Sequence, residues 1–260
     1  MRDHGRMCAQ RGAESVDEST LGPADGSGRY LHRRVTSFRS RRSTLTDTQQ
    51  STWDRLWPQL GTQARWGEEA PAEPLDAQAW FGRRAPLVLE IGCGTGTSTL
   101  AMAQDEPQID VIAVEVYKRG LAQLLSAIDR EQVPNIRLVR GDAVDVLEHL
   151  LVPGMLTGVR VFFPDPWPKS RHHKRRFLQS ANVAMIADRL RPGGILHAAT
   201  DHAGYAEQIA AVGDAEPLLR RVPADRVATL PISVTRPVTK YEGKAQHAGS
   251  AVAELLWERV

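Results

Sequence analysis

The chain has 260 residues, of which 42% are apolar and 25% charged, and its formal net charge is +2. This size and composition predict one large globular domain with appendages and argue against a fibrous or wholly disordered protein. Cys8 and Cys93 have no metal-ligand spacing, so neither a zinc site nor a disulfide framework is expected, which fits a reducing cytosol. Because no signal-peptide core and no run of about 18 apolar residues is present, we expect a cytoplasmic protein without a membrane span.

The N-terminal part is polar and then strongly basic. Residues 1–28 have no apolar period, which predicts a disordered tail. Residues 29–60 are predicted to form a basic arm, with six arginines and no acid up to residue 46, followed by a helix. That helix is expected to begin after Thr46, which has capping-box spacing to Gln49, and to end at Pro58. The main domain is predicted to span residues 61–260, and its first part, 61–85, to be a loop.

From Leu87 onward, short apolar strands alternate with helices. The predicted strands lie at 87–91, 111–114, 136–139, 159–163 and 194–199. A helix is expected after each of them, including one near 143–151 and one over 173–190. This alternation predicts an α/β domain with a Rossmann-like, mostly parallel sheet and helices on both faces. A last strand at 251–257 breaks the alternation, and we expect it to pair antiparallel.

A glycine loop follows the first of these strands. The segment Glu90-Ile91-Gly92-Cys93-Gly94-Thr95-Gly96 opens a helix, and glycines there let the backbone turn sharply and let a ligand contact the main chain. Glu115 ends the second strand, where a carboxylate can accept two hydrogen bonds from a ribose diol. The two features together predict a site for a nucleoside-containing cofactor.

The charges around this loop indicate which cofactor it takes. A dinucleotide site has the spacing G-x-G-x-x-G and places a pyrophosphate on the helix N-terminus, whereas this loop has G-x-G-x-G and Glu90 just before it. A carboxylate repels a pyrophosphate and attracts the ammonium and sulfonium groups of S-adenosylmethionine. Asp142, in Gly141-Asp142-Ala143 after the third strand, adds an acid placed to accept from an adenine amino group. The residues favour S-adenosylmethionine, and an NAD-dependent oxidoreductase is the alternative from a different class.

One acid follows the fourth strand, and a block of cations follows the acid. Asp165 lies between Pro164 and Pro166, beside Trp167, on the same sheet edge as the glycine loop. The cations are Lys169, Arg171, Lys174, Arg175 and Arg176. They are expected at the start of a helix, where the dipole disfavours them, which argues for a bound polyanion. The segment predicts chemistry on a base of a nucleic acid; the alternatives are a proline turn in which Asp165 accepts backbone N–H groups, and a solvated basic face.

These residues resemble the bacterial tRNA (guanine-N7-)-methyltransferase family, over roughly residues 38–258. The resemblance rests on the glycine loop with Glu115, on Gly141-Asp142-Ala143, on segment 164–176, on Ala199-Thr200-Asp201 and on Arg236-Pro237-Val238-Thr239-Lys240-Tyr241-Glu242. It implies a class I methyltransferase fold, with a mostly parallel, seven-stranded sheet and a C-terminal antiparallel strand. The implied reaction moves a methyl group from S-adenosyl-L-methionine to N7 of guanosine 46 in the variable loop of tRNA.

The resemblance also implies roles for single residues, with Asp165 as the catalytic one. The implied cofactor contacts are Glu90, Gly92, Gly94, Gly96, Glu115, Asp142, Ala143 and Asp165. The implied substrate contacts are Lys169, Asp201, Thr239, Lys240, Tyr241 and Glu242. RNA phosphates are expected to contact Arg171, Lys174, Arg175 and Arg176. The partner is tRNA, no metal or membrane is expected, and the oligomeric state, monomer or homodimer, stays open.

The tail departs from the family pattern at two places. Tyr241 stands where the family usually has Phe, and Gly243-Lys244-Ala245 stands where an Arg-Gly pair is usual, so the RNA contacts beyond Glu242 stay open. For Asp201 the alternative is a helix N-cap ahead of Ala203. Two further functional alternatives are a methyltransferase for another base and an RNA-binding protein with an inactive cofactor pocket, which the intact series of acids opposes.

Overall fold

The computed structural model describes residues 36, 38, 44–65, 69–71, 73–237 and 251–260. The chain divides into two compact units, residues 1–36 and 37–260, and all described helices and strands belong to the second unit. The predicted tail, the arginines of the basic arm, and Thr239, Lys240, Tyr241 and Glu242 lie outside the described residues. Among the residues that are described, no helix is both long and apolar enough to cross a lipid bilayer.

One sheet of eight strands forms the centre of the second unit, in the order β1-β4-β3-β2-β5-β6-β8-β7. The strands are β1 (Gly61–Gln63), β2 (Leu87–Ile91), β3 (Asp110–Glu115), β4 (Ile136–Arg140), β5 (Leu156–Phe162), β6 (Leu190–Thr200), β7 (Leu219–Arg221) and β8 (Ala253–Arg259). β1 to β6 pair in parallel, and β8 pairs antiparallel with both β6 and β7. The predicted parallel sheet with a C-terminal antiparallel strand is confirmed.

The predicted strand count of seven is wrong by one, because β1 lies in the region expected to be a loop. Its three residues, Gly-Thr-Gln, pair with β4 from Gly61 opposite Leu138 onward. A polar strand of this length has no apolar run or alternation by which a sequence pattern could reveal it. The helix α2 (Ala77–Phe81) lies in the same region and was also missed, because five residues are too few to show a helical period.

Helices cover both faces of the sheet. They are α1 (Asp47–Leu60), α2, α3 (Thr97–Asp105), α4 (Lys118–Glu131), α5 (Ala143–Asp145), α6 (Ser180–Arg189) and α7 (Ala203–Ala215). Leu89 and Ile91 of β2 pack into one core with α5, α6 and α7, while Val88, which precedes Leu89, packs into the other core with α1, α3 and α4. Because successive strand residues face opposite sides and both sides are covered, the central strands are apolar at nearly every position.

The helix α1 begins as predicted but does not end at the proline. Thr46 and Gln49 form the capping box, with the Gln49 N–H donating to the Thr46 hydroxyl at 3.3 Å and the Thr46 N–H to Gln49 Oε1 at 3.2 Å. Pro58 lies inside the helix, which continues to Leu60. The proline costs a backbone hydrogen bond, but packing offsets this, because Trp53 is buried among α4 residues and stacks on the Trp57 ring at 4.0 Å.

The predicted helix at 173–190 is wrong at its start. Residues Ser170–Arg175 form a 3₁₀ turn, and α6 begins only at Ser180. Between them the chain enters the core, where Phe177 and Leu178 are buried and the Leu178 N–H donates to the Tyr205 hydroxyl at 2.9 Å. The block of cations therefore does not stand at an α-helix N-terminus, and the dipole argument for a bound polyanion does not hold.

Candidate functional site

A crevice of about 180 Å³ opens at the carboxyl ends of β2, β3, β4 and β5. The chain order reverses at β2, whose neighbours are β3 on one side and β5 on the other, and open α/β sheets bind ligands at such a point. Five of the residues predicted from the sequence line this crevice together: Gly92, Glu115, Asp142, Ala143 and Asp165. Three aromatic residues, Phe162, Phe163 and Phe177, also line it.

The glycine loop shapes the crevice through its backbone. Gly96 has φ +76°, and a Cβ there would lie 2.5 Å from the Leu124 side chain, so this position requires glycine. Gly120 of α4 approaches so closely that a Cβ on it would lie 2.2 Å from the Gly94 carbonyl oxygen. Of the three predicted glycine contacts, Gly92 lines the crevice, whereas Gly94 and Gly96 support the loop behind it.

Glu115 is held in place by three backbone N–H groups. Its Oε1 accepts from Val116 at 2.7 Å and Tyr117 at 3.0 Å, and its Oε2 accepts from Gly94 at 3.0 Å. Burial raises the pKa of Glu115, the three backbone hydrogen bonds oppose this rise, and the charge of nearby Asp165 adds to it. A carboxylate accepts about four hydrogen bonds, so Glu115 can accept one more from a ligand without losing a partner.

Asp142 is oriented by the start of a helix. It is the N-cap of α5, and its Oδ1 accepts from the Val144 N–H at 3.0 Å. This cap points the carboxylate at the crevice, which Asp142 lines beside the apolar side chain of Ala143. The end of β4 thus brings one acid and one apolar side chain to the crevice, and their contacts with a cofactor stay predictions.

Glu90 lies apart from the crevice. It precedes Ile91 on β2 and therefore faces the opposite side of the sheet, where it is 97% buried beside Arg160, its neighbour on β5. Burial raises the pKa of Glu90 to about 7, and the positive charge of Arg160 opposes that rise. Its Oε2 has no hydrogen-bond partner within the described part of the chain. Glu90 is not among the residues that line the crevice, and its predicted contact with the cofactor stays a prediction.

Asp165 is exposed at the mouth of the crevice, and no hydrogen bond or ion pair joins it to any residue that the structure describes. The alternative in which its carboxylate accepts backbone N–H groups within a proline turn is therefore not seen. Phe163 and Trp167, which flank the Pro-Asp-Pro segment, have φ values of +49° and +43°. A non-glycine residue in this region costs on the order of 1–3 kcal/mol, and such strain is common at functional sites.

The basic block divides into braces and exposed cations. Arg176 is buried, donates to the carbonyl oxygens of Pro166 at 2.8 Å and Gly204 at 3.2 Å, and lies over the Tyr205 ring at 4.8 Å. The Arg175 guanidinium lies 4.0 Å from the ring centre of Trp167. These two arginines hold the Asp165 loop from behind, and the placement of Arg176 is not that of a phosphate contact.

The remaining cations of the block face solvent, as does Asp201. Lys169, Arg171 and Lys174 are exposed. Asp201 follows β6 without lining the crevice, and it is not the cap of α7. That cap is His202, whose Nδ1 accepts from the Tyr205 N–H at 3.1 Å, so the alternative considered for Asp201 is wrong.

The sequence did not identify the aromatic residues that line the crevice, or the arginine with a buried side chain that contacts two of them. Phe162 ends β5 and Phe163 directly follows it, and that position alone was a sufficient signal that they reach the crevice. In the sequence, Arg236 is recognisable only as part of a family motif. Its contacts with these two rings come from a distant part of the chain, which no local pattern reveals.

Comparison with known proteins gives consistent matches. Residues 84–255 match the family described as "Putative methyltransferase". The tRNA (guanine-N(7)-)-methyltransferase of Mycolicibacterium gilvum is 67% identical over 264 residues, covering all of this chain and 99% of that protein. The protein of the same name from Mycobacterium avium is 64% identical over the full length of both chains. That from Mycobacterium leprae is 64% identical over 88% of this chain and 98% of its own.

Among solved structures, the 16S rRNA methyltransferase KamB superposes with a TM-score of 0.47. It is 16% identical in sequence, and the match covers 74% of this chain and 97% of that one. A likeness of this size carries no argument about function.

Proposed function

The chain belongs to the tRNA (guanine-N7-)-methyltransferase family, and from this premise we propose that it transfers a methyl group from S-adenosyl-L-methionine to N7 of guanosine 46 in the variable loop of tRNA. The observation that carries this proposal is the position of Asp165. Its exposed carboxylate stands between a crevice bounded by Glu115 and Asp142 and the exposed cations Lys169 and Arg171. A cationic cofactor, a base and a phosphate backbone each have a matching surface there.

The walls of the crevice fit S-adenosyl-L-methionine. Glu115 has one acceptor position left for a ribose hydroxyl, and Asp142 is aimed to accept from the adenine amino group. The side chains of Ala143 and Phe177 offer apolar surface to the adenine ring. With Asp165, three carboxylates surround the crevice, which favours a sulfonium and opposes the pyrophosphate of NAD. When bound, the cofactor supplies an electrophilic methyl carbon.

The mechanism we propose depends on positioning more than on proton transfer. Guanine N7 carries an in-plane lone pair and no proton, so the chain needs no strong general base. Holding the reacting atoms in line is then the main contribution to the rate. Asp165 accepts hydrogen bonds from the guanine N1–H and amino group and stabilises the positive charge that develops on the purine. Its strained loop, braced by Arg175 and Arg176, keeps the carboxylate at the crevice mouth.

The RNA is proposed to bind along the exposed cations after β5. Lys169, Arg171 and Lys174 are exposed and can reach phosphates, half-buried Arg175 is proposed as a further phosphate contact, and Arg176 holds the loop. Asp201 and the segment from Thr239 to Glu242 are proposed as further substrate contacts, because they match the family motif. A tRNA substrate also supports a cytoplasmic location.

The test uses purified protein, labelled S-adenosyl-L-methionine and bulk tRNA from cells that lack N7-methylguanosine, followed by nucleoside analysis. We expect label in N7-methylguanosine, and none in a matched transcript with adenosine at position 46. Label in another nucleoside would keep the cofactor and overturn the substrate. Absence of any label from competent tRNA would contradict the proposed reaction.

A further inference from the structure

Three side chains from separate parts of the fold form a hydrogen-bonded chain behind the Asp165 loop, in which Glu254, 40% exposed, joins the buried side chains of Arg236 and His197. The Arg236 Nε donates to Glu254 Oε1 at 2.7 Å, and Glu254 Oε2 contacts His197 Nε2 at 2.5 Å. The side chains of Arg236 and His197 are 5% and 1% exposed. Arg236 comes from the segment after β7, Glu254 from β8 and His197 from β6, so the hydrogen-bonded chain joins three parts of the fold.

The protonation states favour a stable ion pair at its centre. Burial lowers the pKa of His197 against the pull of Glu254, so His197 is neutral at pH 7 and its Nε2–H donates to the carboxylate. Burial disfavours the Glu254 carboxylate, but the bonds from His197 and Arg236 outweigh burial and lower its pKa. Glu254 therefore stays ionised and holds the Arg236 guanidinium by a charge-assisted hydrogen bond.

The held guanidinium lies against the two rings that lead into the Asp165 loop. Its carbon is 4.9 Å from the ring centre of Phe163 and 5.7 Å from that of Phe162. His197 contacts the Phe162 ring edge-on at 4.8 Å. Phe163 is the residue with φ +49° directly before Pro164 and Asp165. Contact with a flat, immobile cation restricts this ring, and a restricted ring helps to keep the strained backbone in place.

We propose that Arg236 is a positioning residue for the methyl transfer, which acts through the Phe163 ring to hold Asp165 at the crevice. The proposal rests on the proposed function. Arg236 also stands three residues before Thr239 in the sequence, so the residue that braces the Asp165 loop directly precedes the predicted substrate contacts. A single side chain thus links the loop that carries the acid to the segment expected to bind tRNA.

The chain contains a matched control for this arrangement. Arg221 of β7 pairs with Asp214 at 2.6 Å and lies over the Trp257 ring at 4.6 Å. It makes the same two kinds of contact as Arg236, an ion pair and a ring contact, although its side chain is 42% exposed against 5% for Arg236, and none of its partners lines the crevice. Replacing Arg221 therefore measures what losing such an arginine does to the fold without touching the site.

The first experiment compares Arg236→Met, Arg236→Lys and Arg221→Met with the unmodified protein in tRNA methylation kinetics and thermal unfolding. We expect both Arg236 variants to lose kcat by on the order of 10- to 100-fold, with an unchanged KM for the cofactor, because a small misplacement of a catalytic group has this effect. Lysine keeps the charge opposite Glu254 but not the flat contact with the ring. Arg236→Lys should therefore restore Tm without restoring kcat, and Arg221→Met should lower Tm alone.

Three results would overturn the proposal. One is an Arg236→Lys variant with normal kcat and normal Tm, because the positive charge alone would then be sufficient for the role of Arg236. Another is a raised KM for tRNA with unchanged kcat, which would make Arg236 an RNA contact. The third is loss of kcat that follows Tm in all variants, which would make its role structural. An unmodified protein that places no label in N7-methylguanosine would contradict the proposed function itself, whereas an active one with a fully active Arg236→Lys contradicts only this inference.

A double-mutant cycle identifies the ring through which Arg236 acts. If the effect passes through Phe163, Phe163→Leu and the double variant Phe163→Leu/Arg236→Lys should have the same kcat, because the arginine no longer has its target. Losses that add would show that Arg236 acts by another route. The lysine variant keeps this test available if Arg236→Met fails to fold.

Discussion

The two sides of the crevice are built in opposite ways. On the side of β2 to β4, Glu115 and Asp142 are acids whose oxygens already accept backbone N–H groups, next to glycines that permit the turn. On the side of β5, Asp165 is exposed on a loop with strained residues at both ends, supported by the half-buried Arg175 and the buried Arg176. The first side is fixed by its own backbone, and the second depends on side chains from distant parts of the chain. We infer that the first side binds the cofactor and that the second side takes part in the methyl transfer.

The largest difference between the two sides is expected in turnover. Asp165→Asn should reduce kcat by on the order of 10²-fold or more, since it removes the charge that stabilises the developing purine cation. Cofactor affinity should change far less, because the backbone of the other side is untouched. Steady-state kinetics and calorimetric titration of the cofactor measure the two effects. Asp225→Asn, an exposed acid outside the crevice, is the control, and an unchanged kcat for Asp165→Asn would remove Asp165 from the mechanism.

Glu115→Gln should have the opposite profile. The amide nitrogen of glutamine cannot accept from backbone N–H groups, so one of the bonds to Gly94, Val116 or Tyr117 is lost at a cost of about 1–3 kcal/mol. We expect a higher dissociation constant for the cofactor and nearly normal kcat at saturating cofactor. Loss of kcat with normal cofactor binding would show that the two sides are not divided in this way.

The basic block separates bracing from RNA binding. Arg176→Met should lower the free energy of unfolding by about 1.5–3 kcal/mol, because the carbonyl oxygens of Pro166 and Gly204 lose a buried, charged donor. Arg171→Met should leave unfolding unchanged and reduce the slope of log K for tRNA against log salt by about one. Denaturant melts and salt titrations distinguish these outcomes, and the same effect from both variants would contradict the division of the block.

The smallest effect is expected for Glu90, and it is a change in how the free energy of unfolding depends on pH. Its pKa is raised by burial from 4.5 to about 7, so the folded state holds a proton that the unfolded state has released between these values. Stability from this group is complete below pH 4.5 and falls as pH rises through 7. The free energy of unfolding of Glu90→Gln, relative to that of the unmodified protein, should therefore be higher at pH 8 than at pH 5. Its cofactor affinity should change less than that of Glu115→Gln, and a larger change would place Glu90 at the cofactor.

Local sequence patterns predicted many of the helices and strands, and a few residues show where such patterns fail. Thr46 and Gln49 define the helix start because a capping box involves only neighbouring residues. Pro58 does not end the helix, because Trp53 and Trp57 pack the last turn against α4, a contact absent from any local window. The strand β1 has no apolar signal and exists because β4 offers it an edge.

The sequence by itself determined the parallel sheet, the glycine loop and the placing of Glu115, Asp142 and Asp165 at one edge. Strand ends, turns and apolar period are properties of short segments, and parallel strands bring their carboxyl ends together. Only the tertiary structure decided that Arg176 is a brace while Arg171 faces solvent, that Glu90 faces away from the crevice, and that Arg236 reaches Phe163. The role of a charged side chain depends on which distant groups surround it, and that information exists only once the chain has folded.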